Sequence, residues 1–276
     1  GWVVVKPEDD LLKEFDEAIE REERRKQELS VLKDLPAITT DGHLIELACN
    51  IGSGQEAGLV LDAGADGVGL FRTEFLFIDR NSPPSEEEQF EIYKQVLSQL
   101  APKPVVIRTL DAGGDKFIPY LNIPDEENPF LGFRAIRLCL EEKELFRSQL
   151  RALLRASTFG TLRIMFPMVA DIHELRAAKR EYEIAKAELE SQGVQVADNV
   201  QVGIMIEVPS AAIQADVLAA ECDFFSIGTN DLVQYTMASD RGNPKVAHLS
   251  DPFYPAVLRL IARTISEAHR HGIWVG

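Results

Sequence analysis

Hydrophobic and polar positions follow two different periods along the chain. After residue 41, short apolar runs recur, separated by longer segments whose apolar residues are spaced three or four apart. The short runs predict buried strands, and the longer segments predict amphipathic helices. The predicted strands are Leu44–Ile51, Gly67–Phe71, Val105–Thr109, Leu162–Met168, Val202–Val208, Phe224–Ile227 and Ile273–Gly276.

Helix start signals stand between these runs. Ser85-x-x-Glu88 and Asp171-x-x-Glu174 match the capping-box pattern, and Pro209 suits the first turn of another helix. Strands that alternate with helices predict an α/β fold with a parallel sheet, most economically a (β/α)₈ TIM-type barrel. Because only seven strands are predicted and the seventh reaches Gly276, we expect a barrel that is incomplete at its C-terminus.

The first residues have a different pattern. Residues 2–5 (WVVV) predict a short strand, and Glu8–Lys33 predicts a helix. The turns from Glu20 to Glu28 contain no apolar residue, which is typical of a solvated linker helix. We therefore expect residues 1–34 to combine the end of an upstream domain with a linker helix, and residues 35–276 to form the barrel.

Composition places the chain among globular proteins. Of the 276 residues, 45% are hydrophobic and 27% are charged, and the net charge is −16, which disfavours binding to nucleic acids or anionic membranes. Cys49, Cys139 and Cys222 are too far apart for a zinc motif or a disulfide framework, and we expect free thiols. The apolar stretch Val202–Ala220 is interrupted by charges, so we expect a cytoplasmic protein without membrane insertion.

Charged side chains follow the predicted strands where each strand ends. In a barrel of this type the reacting groups lie at the carboxyl ends of the strands. The residues at or near these ends are Arg72, Glu74, Arg108, Asp111, Lys116, Arg134, Glu207, Asn230, Asp231 and Arg241.

This set has the chemistry of an anion site with a metal. Arginine forks and a lysine ammonium suit phosphate and carboxylate oxygens, and Mg²⁺ takes one or two carboxylates together with substrate phosphate. We expect Glu207 and Asp231 to hold Mg²⁺ beside a small phosphorylated ligand. Two plainer interpretations stay open: Asn230-Asp231 as a helix N-cap, and several arginines, Arg137, Arg147 and Arg151, as surface ion pairs.

Longer motifs add a family resemblance. The chain contains the motifs DLPAITTDG, GVGLFRTEFLF, PSEEEQF, IRTLDAGGDK, EENPFLGFRAIR, LRIMFPM, GIMIEVPSAA, DFFSIGTNDLVQYT and DRGN. Through these motifs, from Leu35 to Gly276, it resembles the phosphoenolpyruvate-binding domain of the Enzyme I family, the phosphoenolpyruvate–protein phosphotransferases of the bacterial sugar phosphotransferase system. Residues 1–34 resemble the end of that family's phosphohistidine domain and its linker.

The resemblance implies roles for individual residues. It implies that Arg72, Arg108 and Arg241 bind the phosphate of phosphoenolpyruvate, assisted by Asn230 and the Asp231 amide. Lys116 and Arg134 then complete the positive rim. The implied Mg²⁺ ligands are Glu207 and Asp231.

The resemblance also implies an activity and partners. The phosphoryl group would pass to a histidine of the N-terminal phosphohistidine domain and then to the HPr carrier protein, in a homodimer. No catalytic residue is expected within this chain, because the family's Cys-Gly-Glu motif would follow Gly276. Two alternatives stay open: a domain of the phosphoenolpyruvate synthase or pyruvate phosphate dikinase type, and a non-catalytic module that senses phosphoenolpyruvate.

Overall fold

A computed structural model describes residues 3–78, 80–114, 118–121 and 123–276. Its centre is one sheet of seven parallel strands, hydrogen-bonded in the order of the sequence from β1 to β7. The strands are β1 (Ala48–Ile51), β2 (Gly67–Arg72), β3 (Pro104–Arg108), β4 (Thr161–Phe166), β5 (Gln201–Ile206), β6 (Phe224–Ile227) and β7 (Trp274–Val275).

Helices connect the strands and cover one face of the sheet. The α-helices are α1 (Asp9–Ser30), α2 (Ala57–Asp62), α3 (Glu86–Leu100), α4 (Ile136–Glu141), α5 (Lys143–Ala156), α6 (Ile172–Ser191), α7 (Pro209–Ile213), α8 (Ala215–Ala219), α9 (Thr229–Met237) and α10 (Pro255–Arg270). Short 3₁₀ helices are Gly54–Glu56, Thr73–Leu76, Pro129–Leu131, Ser157–Phe159 and Ala247–Leu249.

The predicted α/β fold is confirmed as a curled parallel sheet with an inner and an outer face. Within the described residues, β1 pairs only with β2 and β7 only with β6, so the seven strands do not close on themselves. Four predicted strands are longer than the observed ones. The difference is largest for β1, which begins at Ala48, and for β7, which holds two residues, whereas β4 and β5 end two residues before their predicted ends.

The helix start signals are confirmed with one refinement. Ser85 accepts from the Glu88 backbone N–H, and the Glu88 carboxylate accepts from Ser85, so the capping box of α3 is complete. Asp171 caps α6, but the Glu174 carboxylate accepts from the backbone N–H of Ala170 rather than from that of Asp171. Pro209 occupies the first turn of α7.

Side chains alternate between the two faces of each strand, and this alternation positions the site. On β3, Val105 and Ile107 are buried in the large core beneath the helices, whereas Val106 packs in a small cluster inside the curl with Met165 and Met205. A residue two positions further along a strand faces the same side. Residue 108 therefore follows Val106 into the curl, and residue 207 follows Met205.

The predicted amino-terminal helix is confirmed, and it is exposed along its whole length. Helix α1 has no buried residue, and its apolar positions stay exposed, with Phe15 63% accessible. The predicted strand at residues 2–5 is wrong for residues 3–5, which form no strand, and Trp2 lies outside the described residues. These residues are exposed and form no backbone hydrogen bond with another described residue, and an isolated strand is not stable in water.

The described part of the chain contains no helix that is both long and apolar enough to span a bilayer.

Candidate functional site

A cleft of about 1340 Å³ opens at the carboxyl ends of the strands. It brings together every predicted site residue that the structure describes; Lys116 lies outside the described residues. Among the described residues, five arginines and five carboxylates line the cleft, although the whole chain carries a net charge of −16. The charged lining residues are Arg72, Arg108, Arg134, Arg163, Arg241, Glu46, Glu74, Asp111, Glu207 and Asp231.

Arg108, the last residue of β3, lies at the bottom of this cleft. Its Nη2 donates to Glu74 Oε1 at 2.8 Å and lies 3.0 Å from Asp111 Oδ2, while Nη1 faces the Met205 sulfur at 3.7 Å. Burial would lower the pKa of this guanidinium, but the carboxylates of Asp111 and Glu74 outweigh burial and raise it. Arg108 Nε is buried without a hydrogen-bond partner among the described residues.

Arg134 approaches from the loop before α4. Its Nη2 donates to Asp111 Oδ1 at 2.9 Å, and its Nη1 lies 3.5 Å from Asp231 Oδ1 and 3.3 Å from the Tyr235 hydroxyl. The turn at Gly113 permits this approach, because its φ is +98° and a Cβ there would lie 2.6 Å from Arg134 Cβ. The Gly113-Gly114 turn is thus a packing requirement of the site as well as a chain reversal.

Asp231 lies in the first turn of α9 and points into the cleft. Its Oδ2 is 3.6 Å from Arg241 Nη1, and the Arg241 backbone N–H donates to Gln234 at 3.1 Å. The interpretation of Asn230-Asp231 as a helix N-cap is wrong, because Gly228 occupies the cap position and no side chain caps α9. Asn230 lines the same cleft and is exposed.

Glu207 follows β5 and is almost fully buried. Its Oε1 accepts from the backbone N–H of Met168 at 2.6 Å, and Met168 adopts a φ of +56° to present that group. Burial, followed by the nearby carboxylates of Asp111 and Asp231, raises the pKa of Glu207 from 4.5 to about 8 despite the attraction of Arg108. A buried carboxyl surrounded by like charges is a position that a bound cation would stabilise.

Arg72, at the end of β2, is an exposed arginine of the cleft. It lines the opening and forms no ion pair with a carboxylate of the described residues. The expected surface pairs are found elsewhere: Arg137 with Glu174, Arg147 with Glu181, and Arg151 with Glu86 and Glu188.

Several contributors to the site received no role in the sequence analysis, among them Arg163 and Glu46, which form an ion pair in the lining of the cleft. Glu74 and Asp111 stood near the strand ends, and the structure shows them as partners of Arg108 and Arg134. Tyr235 was missed entirely; its position four residues after Asp231, one helical turn along α9, was the available signal.

None of the cysteines lines the cleft. Cys139 and Cys222 are buried free thiols, as expected, whereas Cys49 is half-buried on β1. Burial raises the pKa of the Cys222 thiol to about 12, which disfavours the reactive thiolate.

The carboxylates fit a hard divalent cation that takes few protein ligands. Among the residues described, no group of three or more His, Cys, Asp or Glu side chains is arranged to hold a metal ion. Glu207 and Asp231 nevertheless line one cleft from adjacent strand ends, and repulsion from Asp231 adds to burial and to Asp111 in raising the pKa of Glu207. Two carboxylates completed by ligand oxygens and water make a site suited to Mg²⁺.

Comparison with known proteins adds a family. Residues 26–276 match the family described as PEP-utilising enzyme, PEP-binding domain, where PEP is phosphoenolpyruvate. The chain belongs to this family. Its relatives include phosphoenolpyruvate-protein phosphotransferases from Staphylococcus carnosus, at 54% identity, and Bacillus subtilis, at 52%, each aligned over the whole chain. The chain spans 48% of the length of these relatives.

A solved structure supports the fold. A citrate lyase from Burkholderia xenovorans superposes with a TM-score of 0.51 at 17% identity, covering 87% of this chain and 67% of the lyase. At this identity the likeness concerns the fold alone, and it agrees with the curled parallel sheet.

Proposed function

We propose that the cleft binds phosphoenolpyruvate. Arg72, Arg108 and Arg241 would hold the phosphate, assisted by Asn230 and the backbone N–H of Asp231. Arg134 and Lys116 would add positive charge at the rim. The observation that carries this proposal is the buried Arg108, whose Nε has no partner among the described residues although its Nη2 is held by Glu74 and Asp111.

The carboxylate partners make the site selective for a strongly anionic ligand. Paired arginines keep their side chains in place before a ligand arrives, so less conformational entropy is lost on binding. Of the described arginines that line the cleft, all but Arg72 pair with a carboxylate, so a weak anion would gain little there. A phosphate with an adjacent carboxylate offers several acceptors, and guanidinium forks can bind such oxygens bidentately.

We propose Mg²⁺ as the cofactor, with Glu207 and Asp231 as its protein ligands. The ion would neutralise charge on the phosphate and on the enolate oxygen that leaves. Glu207 and Asp231 would fix the ion beside Arg108 and Arg241, so that the phosphate is oriented from two sides.

We further propose that the chain serves the Enzyme I reaction of a sugar phosphotransferase system, as its 54%-identical relative is named. The phosphorus–oxygen bond of phosphoenolpyruvate would break as a histidine nitrogen of the phosphohistidine domain bonds to phosphorus, and the phosphoryl group would then pass to HPr. The released enolate would take a proton to give pyruvate. We assign neither the accepting histidine nor the proton donor to this chain, since none of its histidines or cysteines lines the described cleft.

The domain division and the setting follow from the same proposal. Residues 1–34 would be the end of the phosphohistidine domain with its linker helix, and residues 35–276 the phosphoenolpyruvate-binding barrel. The protein would act as a cytoplasmic homodimer. The exposed helix α1, without one buried residue, supports a linker role.

The experiment is calorimetric titration of phosphoenolpyruvate, in the presence of Mg²⁺, into the wild type and Arg108→Lys. Lysine replaces a planar fork with a single ammonium, so Arg108→Lys should weaken binding by at least ~1.5 kcal/mol, the lower end for charge-assisted hydrogen bonds.

Arg176→Lys is the matched control, because Arg176 forms an exposed bidentate pair with Glu221 far from the cleft. It should bind like the wild type. Wild-type affinity in Arg108→Lys would remove Arg108 from the phosphate site, and no binding by the wild type would refute the proposed function.

A further inference from the structure

A buried amide behind the sheet is bonded to the strand end that carries Arg108. Gln149 lies on α5 and is 1% exposed. Its Oε1 accepts from the backbone N–H of Leu110 at 2.9 Å. Its Nε2 donates to Thr73 Oγ1 at 3.1 Å and to the Tyr93 hydroxyl at 3.2 Å. One side chain thus bridges the ends of β2 and β3 and helix α3.

Through Thr73, Gln149 is connected to both members of the Arg108–Glu74 ion pair in the cleft. The Thr73 hydroxyl donates to the backbone oxygen of Arg108 at 2.8 Å. Thr73 also directly precedes Glu74, whose carboxylate accepts from Arg108 Nη2 at 2.8 Å. Gln149 therefore holds the Thr73 hydroxyl, which in turn fixes the backbone of Arg108. The same contact holds the start of the turn that carries Glu74.

The contact with Leu110 reaches the second carboxylate. Leu110 is held from both sides, because its N–H donates to Gln149 and its carbonyl oxygen faces the buried Cys139 thiol at 3.6 Å. The next residue is Asp111, which pairs with Arg108 at 3.0 Å and with Arg134 at 2.9 Å. The position of Asp111 is thereby tied to the same amide.

We propose that Gln149 is a positioning residue for the anion site: it touches no ligand, and it fixes the strand end that aims Arg108 and Asp111 into the cleft. This inference rests on the proposed function, since the ligand whose binding it serves is phosphoenolpyruvate. Its physical basis is that a buried, fully bonded amide has few alternative arrangements. In metal sites, removal of a group that orients a binding side chain in this way typically alters affinity about ten- to a hundredfold, and we expect an effect of that order here.

The same hydrogen-bond network supplies a matched control at its far end. Gln89 on α3 is also fully buried; its Nε2 donates to the Pro84 oxygen at 3.2 Å, and its Oε1 accepts from Tyr93 at 3.2 Å. It has no hydrogen bond to the ends of β2 or β3 among the described residues. Gln149→Leu and Gln89→Leu therefore delete the same buried group, but only Gln149→Leu frees the strand end.

The experiment measures the phosphoenolpyruvate affinity of both variants in the presence of Mg²⁺, and the melting temperature of each. Both substitutions should lower the melting temperature, because each leaves buried polar partners unsatisfied. Gln149→Leu should raise Kd by about tenfold or more, whereas Gln89→Leu should bind like the wild type. An equal loss of affinity in the two variants, or wild-type affinity in Gln149→Leu, would overturn the proposal.

A second pair of variants decides the matter if Gln149→Leu does not fold. Thr73→Val removes the hydroxyl that links Gln149 to the Arg108 backbone, and Thr73→Ser retains it. We expect weakened binding in Thr73→Val and recovery in Thr73→Ser. Equal affinities in these two variants would contradict the inference.

A readout without ligand separates this inference from the proposed function. The buried guanidinium of Arg108 should give a slowly exchanging NMR signal in ¹⁵N-arginine-labelled protein. That signal should broaden in Gln149→Leu and persist in Gln89→Leu. If the wild type fails to bind phosphoenolpyruvate, the proposed function fails, yet the Arg108 signal still shows whether Gln149 positions it; an unchanged signal in Gln149→Leu would refute the role.

Discussion

At the scale of single residues, the site is a set of opposite charges that restrain one another. Arg108 and Arg134 share Asp111, and Arg134 and Arg241 share Asp231. Breaking one buried pair would leave an uncompensated charge, and in other proteins such a change lowers the free energy of unfolding by about 3–5 kcal/mol. Such coupling makes the arginine positions rigid before any ligand binds.

Glu207 gives a prediction about pH. Its pKa is raised from 4.5 to about 8, so in the folded protein it keeps a proton that the unfolded chain releases. A native state that binds more protons becomes less stable as pH rises, here between about 4.5 and 8. Glu207→Gln has no charge to gain and retains an oxygen for the Met168 N–H. Without metal, its melting temperature should match the wild type near pH 5 and exceed it by several degrees at pH 8.

Thermal unfolding of both proteins across this pH range, in the presence of a chelator, checks the expectation. The measure is the difference in melting temperature between them at each pH. A difference in melting temperature that stays constant from pH 5 to pH 8 would show that Glu207 is already ionised in the folded state.

At the scale of elements, strand alternation carries most of what the sequence could predict. Arg108 follows Val106 by two residues on β3, and Glu207 follows Met205 by two on β5, so strand position and period were enough to place both in the cleft. The caps at Ser85 and Asp171 were predictable because capping is local.

Contacts between distant segments were not predictable in this way. The pairing of Asp111 with Arg134 depends on how the loop before α4 folds over the end of β3. Gln149 reaches Leu110 across 39 positions, and no local pattern marks a helix glutamine as the partner of a strand end. The failed strand at residues 3–5 has the same origin, because β propensity needs a neighbouring strand.

Helix α9 gives a prediction at this scale through Tyr235. Its hydroxyl donates to the Phe130 oxygen at 2.5 Å and lies 3.3 Å from Arg134 Nη1, so it joins α9 to the loop that carries Arg134. Tyr235→Phe should lower the free energy of unfolding by about 1 kcal/mol and weaken phosphoenolpyruvate binding severalfold.

Urea unfolding and calorimetry measure the two effects of Tyr235→Phe. The control is Tyr182→Phe on α6, where a largely buried tyrosine makes no hydroxyl hydrogen bond with the described residues. That substitution should leave affinity unchanged. If Tyr235→Phe binds as tightly as Tyr182→Phe, the hydroxyl of α9 has no part in holding Arg134.

At the scale of the whole molecule, the negative electrostatic potential of the chain repels the proposed anionic ligand. The chain carries −16, and phosphoenolpyruvate is an anion, so attraction has to come from the arginines at one end of the sheet. In the part of the cleft that the structure describes, carboxylates equal the arginines in number, and a divalent cation would shift that balance toward positive charge. Metal and anion should therefore bind cooperatively, each raising the affinity of the other by the same factor.

This cooperativity should appear in the stability of the whole chain. A ligand present at a hundredfold its Kd stabilises the folded state by ~2.7 kcal/mol, or ~5–10 °C for a domain of this size. Phosphoenolpyruvate with Mg²⁺ should raise the melting temperature by more than the two separate shifts combined, because each neutralises charge that repels the other. Asp231→Asn removes one proposed metal ligand and should make the shifts nearly additive, whereas Asp216→Asn, on the exposed face of α8, should keep the wild-type excess. Additive shifts in the wild type would mean that Mg²⁺ and phosphoenolpyruvate do not share the cleft.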